Sequence, residues 1–208
     1  LKLHSATANG HLTIEAAPHA ENAPRYAFIG VRGCEMAAIQ IQDRVFMHGA
    51  AVDPYYRAVR ERAFILGVNC TDPGSTCFCA SMGTGPRCAT GCDLSLTELG
   101  HSFLVEVGSE LGSELLSACE WHPAGAYELN EARRILSQAE ARMGRALQTD
   151  DLPDLLYENL DHPRWDDVAA RCLSCANCTM VCPTCFCHTV EDVSDLGGAQ
   201  TCLLYTSD

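Results

Sequence analysis

The chain has 208 residues, 14 of them cysteine, and 27 acidic against 14 basic side chains give a net charge of −13. That length holds one sizeable domain or two small ones. The acidity argues against nucleic acid, which needs a basic footprint, and against an anionic membrane surface, while no stretch approaches the ~18 apolar residues of a membrane span. Residues 1–20 are polar and lack the apolar run of a signal peptide. So many thiols without an export signal imply metal or redox chemistry in a reducing compartment, hence a cytoplasmic protein.

Residues 1–24 show no clear periodicity and suit an edge hairpin or the remnant of a longer N-terminal region. The apolar run 26–31 reads as a buried strand, 32–35 as a turn and 36–46 as a helix. Asp53 and Pro54 supply an N-cap and an N1 proline for a helix that continues on a charged face to residue 62. Residues 63–68 form a second buried strand that ends at Asn69 and Cys70. Residues 71–91 are rich in Gly, Ser, Thr, Pro and Cys and must be loop. Within them Gly83-Thr84-Gly85-Pro86 lacks the spacing and the lysine of a phosphate loop and reads as a turn.

Residues 102–107 make a third strand. Cys119 falls in an apparent helix, where packing suits it, and Trp121 and Trp165 read as core or interface residues. Leu129, Ala132, Ile135, Leu136, Ala139, Met143, Ala146 and Leu147 recur at helical spacing within 127–147. Shorter helices follow at 153–160 and at 163–171, the latter started by Asp161-His162-Pro163. Strand–helix–strand order predicts an α/β layer with an at least partly parallel sheet.

The strongest signal comes next. Residues 171–188 read R-C-L-S-C-A-N-C-T-M-V-C-P-T-C-F-C-H. Cys172, Cys175, Cys178 and Cys182 stand at C-x2-C-x2-C-x3-C with Pro183 directly after, the spacing of a bacterial-type 4Fe–4S ligand run. Thiolates two residues apart on a tight loop can each reach one iron of the same cube, and the proline, with fixed φ and no N–H, keeps the backbone from folding back over it. A structural zinc site usually pairs C-x2-C with a second pair or with histidines about 12 to 20 residues away. Loops this short also close poorly as disulfides. In two-cluster ferredoxins the fourth cysteine serves the other cube. A second run is then required, and this sequence has none. Either the segment is truncated, or Cys182, Cys185 or Cys187 closes a single cube, with Cys185 and Cys187 as auxiliary ligands. His188 stands close enough in sequence to hydrogen-bond a cluster sulfur, although solvent exposure is its commoner fate.

A second constellation lies upstream. Cys34 follows the first strand, Cys70 the second, and Cys77 and Cys79 the loop beyond. If those strands are parallel neighbours, the four thiols share the carboxyl edge of the sheet, where α/β folds place ligands. They would hold a further cluster or a zinc, or remain small apolar side chains without metal. Cys88 and Cys92, a C-x3-C pair in a glycine-rich loop, compete as ligands. The chain then divides into an α/β domain at 1–149 with this edge site, a helical linker and ferredoxin-like 4Fe–4S segment at 150–200, and a tail at 201–208.

The segments 29–39 (I-G-V-R-G-C-E-M-A-A-I), 77–86 (C-F-C-A-S-M-G-T-G-P) and 172–187 with its C-P-T-C-F-C ending together resemble a known family. It comprises the dicluster iron–sulfur subunits related to the beta subunit of cytosolic sulfhydrogenase, to which the iron–sulfur subunit of anaerobic sulfite reductase is similar. The match spans residues 26–196 in order. The resemblance implies a non-catalytic electron-transfer subunit. It would relay electrons between a flavin subunit that handles NAD(P)H and a nickel–iron hydrogenase or sirohaem sulfite reductase catalytic subunit. Two departures matter. Members carry a second four-cysteine run downstream, absent here, and residues 201–208 resemble translated adapter read-through, which would remove Cys202 as a ligand. Two other classes of function compete: a structural zinc module that only stabilises an interaction domain, and an enzyme with a nucleotide-sized pocket at the Cys34/Cys70 edge.

Overall fold

The described residues form two four-stranded sheets, and only one of them contains parallel pairings. The computed structural model describes residues 2–8, 11–17, 20–185, 189–194 and 200–206. Its strands are β1 (Lys2–Ala8), β2 (His11–Ala17), β3 (Ala27–Val31), β4 (Phe64–Val68), β5 (Leu94–Glu98), β6 (Phe103–Val107), β7 (Thr189–Ser194) and β8 (Gln200–Thr206). Its helices are α1 (Gly33–Phe46), α2 (Pro54–Arg60), α3 (Glu110–Ser117), α4 (Ala126–Ala141), α5 (Leu152–Glu158), α6 (Arg164–Ala169) and α7 (Asn177–Val181). The chain forms two compact units, one of Leu1–Tyr26, Ile41–Ala63 and Cys175–Asp208, the other of Ala27–Gln40 and Phe64–Ser174.

In the first unit the order is β2-β1-β8-β7 with every pairing antiparallel. The hairpin expected before residue 24 is β1–β2. Helix α2 starts as its sequence predicts: the Asp53 carboxylate accepts the N–H groups of Tyr55 and Tyr56, both at 2.9 Å, and Pro54 occupies the first turn. Asp43 accepts the Tyr56 hydroxyl at 2.8 Å and the Arg60 guanidinium at 3.1 Å, tying α1 to α2. The Phe46 and Tyr56 rings meet beside this contact at 5.1 Å.

The second unit carries the expected α/β layer. Strands β3, β4 and β5 run parallel in that order, and β6 closes the sheet antiparallel to β5. Strand β5 falls in a stretch that the sequence pattern leaves unassigned. It is central, so Ser95 and Thr97 are as buried as Leu94, and the alternation L-S-L-T does not mark an inside and an outside face. Strand β3 is not the buried strand its composition suggests. It is an edge strand with Phe28 and Ile29 exposed, and Gly30, at φ 88°, shifts its register against β4.

The core of this unit is Met36, Ile65, Cys88 and Cys92, flanked by Val31 and Ile39. Burying each of the larger side chains contributes about 1.5–3 kcal/mol. Asp93 pins the layer at one end. Its carboxylate accepts the Ile65 N–H at 2.7 Å and the Ser109 hydroxyl at 2.5 Å, and Ser109 in turn caps α3 by accepting the Gly112 N–H.

Helix α4 starts where the Glu128 carboxylate accepts the Gly125 N–H at 2.9 Å, and it buries Ala132 and Ala139, two turns apart. It ends at Ala141, well before residue 147. The two tryptophans are not core residues: Trp121 is 61% and Trp165 47% exposed. Cys119 lies just past α3 and is exposed.

Candidate metal centre

Parallel pairing of β3 with β4 satisfies the condition on which the upper constellation depended. Chain direction then delivers Cys34, in the first turn of α1, and Cys70, just past β4, to the same sheet edge. The loop beyond β4 returns Cys77 and Cys79 to it. The Cys79 thiol is pushed above its ordinary range by burial first, then by repulsion from Cys34, Cys77 and Cys70, so the four are electrostatic neighbours. A site that crowds four thiols without a cation is chemically suited to a thiophilic metal, which would remove the repulsion. Among the described residues no three Cys, His, Asp or Glu side chains form a ready ligand cage.

Backbone contacts hold this loop. The Cys70 N–H donates to Pro86 O at 2.9 Å and the Thr84 N–H to Cys79 O at 2.9 Å. Gly85 is required by close approach: a Cβ there would lie 2.8 Å from Cys79 Sγ and 3.8 Å from Cys34 N. The Gly83–Pro86 stretch is therefore the wall of the thiol edge, in keeping with its reading as a turn.

Cys88 and Cys92 belong to the core and not to the edge. Both are buried, and Cys88 Sγ donates to the carbonyls of Val31 at 3.3 Å and Val68 at 3.7 Å. The hydrogen bond with Cys92, followed by burial and the neighbouring Cys92 charge, pushes the Cys88 thiol far up. A buried thiol held protonated in this way is better suited to packing than to ligation, and Cys92 is buried beside it. Asn69 fixes the segment, accepting the Cys88 N–H at 2.7 Å. Sequence reasoning missed this residue; its only signal was a polar side chain at the end of an apolar strand.

In the lower run Cys172, Cys175, Cys178 and Cys182 are exposed and Cys185 is half-buried. Cys172, Cys175, Cys178, Cys182 and Cys185 are all free of disulfides. Cys172 follows α6, α7 holds Cys178, and Cys182 caps its end. Ser174 at φ 50° and Ala176 at φ 55° both take left-handed backbone, which costs L-residues roughly 1–2 kcal/mol each. They bend the chain on either side of Cys175. The first bend aims the Ser174 N–H at Cys172 Sγ, 3.4 Å away. Amide-to-sulfur bonds of this kind stabilise a thiolate and tune a cluster potential. Cys182 Sγ lies 3.5 Å from Thr184 Oγ1, and the Thr184 hydroxyl, then its amide, hold the thiol below its ordinary range. Gln42 anchors the turn by donating to Pro183 O at 2.5 Å. Cys187 and His188 lie outside the described residues.

The cleft beside the upper edge, lined by Gly33, Met36, Gln40, Thr84, Arg87 and Thr90 among others, measures about 140 Å3. Ligand pockets run to roughly 300–1,000 Å3, so it is too small for a nucleotide. No helix among the described residues is long and apolar enough to cross a membrane.

No family model matches the sequence, and no solved structure does. The chain is 35% identical over 174 residues to sulfhydrogenase 2 subunit beta of Pyrococcus furiosus, a match covering 81% of this chain and 50% of that protein. The chain thus spans about half the length of this relative, and over the shared half it is similar to a sulfhydrogenase beta subunit.

Proposed function

We propose that this chain is an iron–sulfur electron-transfer subunit of a multisubunit oxidoreductase, with Cys172, Cys175, Cys178 and Cys182 as ligands of a 4Fe–4S cluster. The observation that carries the reading is the C-x2-C-x2-C-x3-C-P run, whose first thiol already accepts a backbone amide from its own loop. The similarity to a hydrogenase beta subunit supports the same class. A cubane held there would supply one-electron transfer, at a potential set by hydrogen bonds to sulfur, burial and charge.

The chain's own residues supply the ligands and their setting. Ser174 directs its amide at one sulfur, Thr184 favours the Cys182 thiolate, and Gln42 fixes Pro183. Cys34, Cys70, Cys77 and Cys79 are a second ligand set at the sheet edge, for a further cluster, while Cys185 and Cys187 are auxiliary. In this reading the partners are a flavin subunit that handles NAD(P)H and a hydrogenase or sulfite reductase catalytic subunit. The hydrogenase context is favoured, and the assembly is cytoplasmic. The net charge of −13 suits docking on basic partner surfaces.

The test is iron, sulfide and zinc content, with absorption and EPR spectra, on protein purified without oxygen. About four irons per cube with matching sulfide is the expected result, and the total reports whether the upper thiols are loaded as well. Zinc without sulfide would replace the proposal with a structural zinc module.

A further inference from the structure

Helix α4 ends at Ala141, and the residues after it lie across the upper thiol loop. Arg142 Nη2 donates to Thr71 O at 2.6 Å, the Arg145 N–H to Cys77 O at 3.2 Å and the Leu147 N–H to Ser81 Oγ at 2.9 Å. Gly144 presses so closely on the Ser75 carbonyl that a Cβ cannot fit. Between these contacts Met143 Sδ accepts the Ala80 N–H at 3.4 Å and lies 3.8 Å from Cys79 Sγ, whose thiol donates to it. A stretch that its sequence marks as more of a helix is instead a strap bonded through Arg142, Met143, Arg145 and Leu147 to the loop that carries Cys77 and Cys79.

We propose that Met143 is a positioning residue of the thiol edge, holding the Ala80 amide through its sulfur, and the Cys79 thiol as well in the metal-free form, at the centre of a strap formed by residues 142–147. The role toward a cluster rests on the reading that Cys34, Cys70, Cys77 and Cys79 hold one; the restraint on the loop does not. A thioether is a weak acceptor, so the strength of one bond is not the point. What matters is which dipole it occupies. An amide aimed at a cluster sulfur stabilises the more negative, reduced state and raises the potential. The Ala80 amide stands next to Cys79, and Met143 keeps it on a neutral sulfur. Leucine conserves the volume of methionine but removes the acceptor, which frees that amide for Cys79. Glutamine restores an acceptor.

Two measurements test this on the full chain. In a Cys172→Ser, Cys175→Ser, Cys178→Ser background, EPR-monitored titration reads the upper site alone. Met143→Leu should keep the iron content and raise the midpoint potential, and Met143→Gln should return it toward the parent. A potential and EPR signal unchanged in Met143→Leu would overturn the electronic role. In chelator-treated, reduced protein, mass spectrometry reads the alkylation rates of Cys77 and Cys79. Gly144→Ala should raise both by a factor of about 5 or more, the ratio that loss of ~1 kcal/mol of restraint produces. Unchanged rates would overturn the strap. If the background protein carries no iron, the ligand reading fails, and the alkylation rates alone decide whether the strap restrains the loop.

Discussion

Asn69 donates through Nδ2 to the hydroxyl of Thr97 at 2.8 Å, and the two side chains are 1% and 0% exposed. The Asn69 carboxamide oxygen accepts the Cys88 N–H, while its own N–H donates to Leu96 O at 2.8 Å. One buried side chain therefore joins β4, β5 and the loop that leads to Cys92, directly before Cys70. Asn69→Ala leaves a buried amide and a buried hydroxyl without that partner. Each such group costs about 1–3 kcal/mol, so the variant should lose on the order of 3 kcal/mol in urea unfolding with an unchanged m-value. Thr97→Val removes one contact and should cost roughly half as much. A loss within experimental error for Asn69→Ala would mean that water replaces the side chain there.

The Asp43–Tyr56 contact makes stability depend on pH at the alkaline end. Burial, then the hydrogen bond to Asp43 and its charge, raises the Tyr56 phenol well above the ordinary range. The folded state therefore holds this proton more tightly than the unfolded state, whose phenol titrates near 10. The contribution is fully present below about pH 10 and is lost as pH rises through the higher folded value. Melting temperatures between roughly pH 9 and 11 should fall more steeply for the parent than for Tyr56→Phe. Parallel slopes would show that Tyr56 ionises as freely in the fold as out of it.

How legible was this in the sequence? The strands at Ala27–Val31, Phe64–Val68 and Phe103–Val107 were marked by apolar runs, and Asp53-Pro54 marked the start of α2 by its cap chemistry. The cysteine spacing 172–182 pointed to its chemistry without any fold. Strand β5 was hidden because a central strand may carry Ser95 and Thr97 if a partner such as Asn69 satisfies them, and the partner is 28 positions away from Thr97. The early end of α4 was hidden for a similar reason. Met143, Ala146 and Leu147 keep helical spacing, but contacts of Arg142, Met143, Arg145 and Leu147 to Thr71, Ala80, Cys77 and Ser81 draw the stretch off the helix. Spacing alone could not separate Cys88 and Cys92 from the edge thiols; burial did.

Ligand substitutions separate the two proposed sites. Serine is a poor substitute for a thiolate on iron, so Cys175→Ser should remove about four irons per chain, one cube. Unchanged iron and sulfide would sink the assignment of the lower run. Cys77→Ser and Cys79→Ser should each lower iron content while sparing the lower signal. Equal iron in both variants and the parent would leave the upper four thiols as loop cysteines.

Gly67, in the middle of β4, is the point where the sheet meets the cysteine pair of the core. A Cβ there would lie 2.7 Å from Cys92 Sγ and 3.2 Å from Cys88 Sγ. Two effects oppose each other in Gly67→Ala. Alanine restricts the unfolded chain and stabilises by about 0.4–1 kcal/mol, whereas overpacking a closed core costs typically about 1–3 kcal/mol. Neither neighbour can retreat easily, since Cys88 is held by Val31 O and Val68 O and Cys92 by Cys88. The overpacking cost should win, and the single variant should be less stable. Cys92→Ala removes the nearer sulfur and makes room for the new methyl. The double variant Gly67→Ala, Cys92→Ala should therefore be more stable than the sum of the singles predicts, with a coupling of about 1–2 kcal/mol, inside the range seen for residues in contact. Additive losses in denaturant unfolding would place the cost of Gly67→Ala elsewhere, in the backbone of β4 or its pairing with β3 and β5.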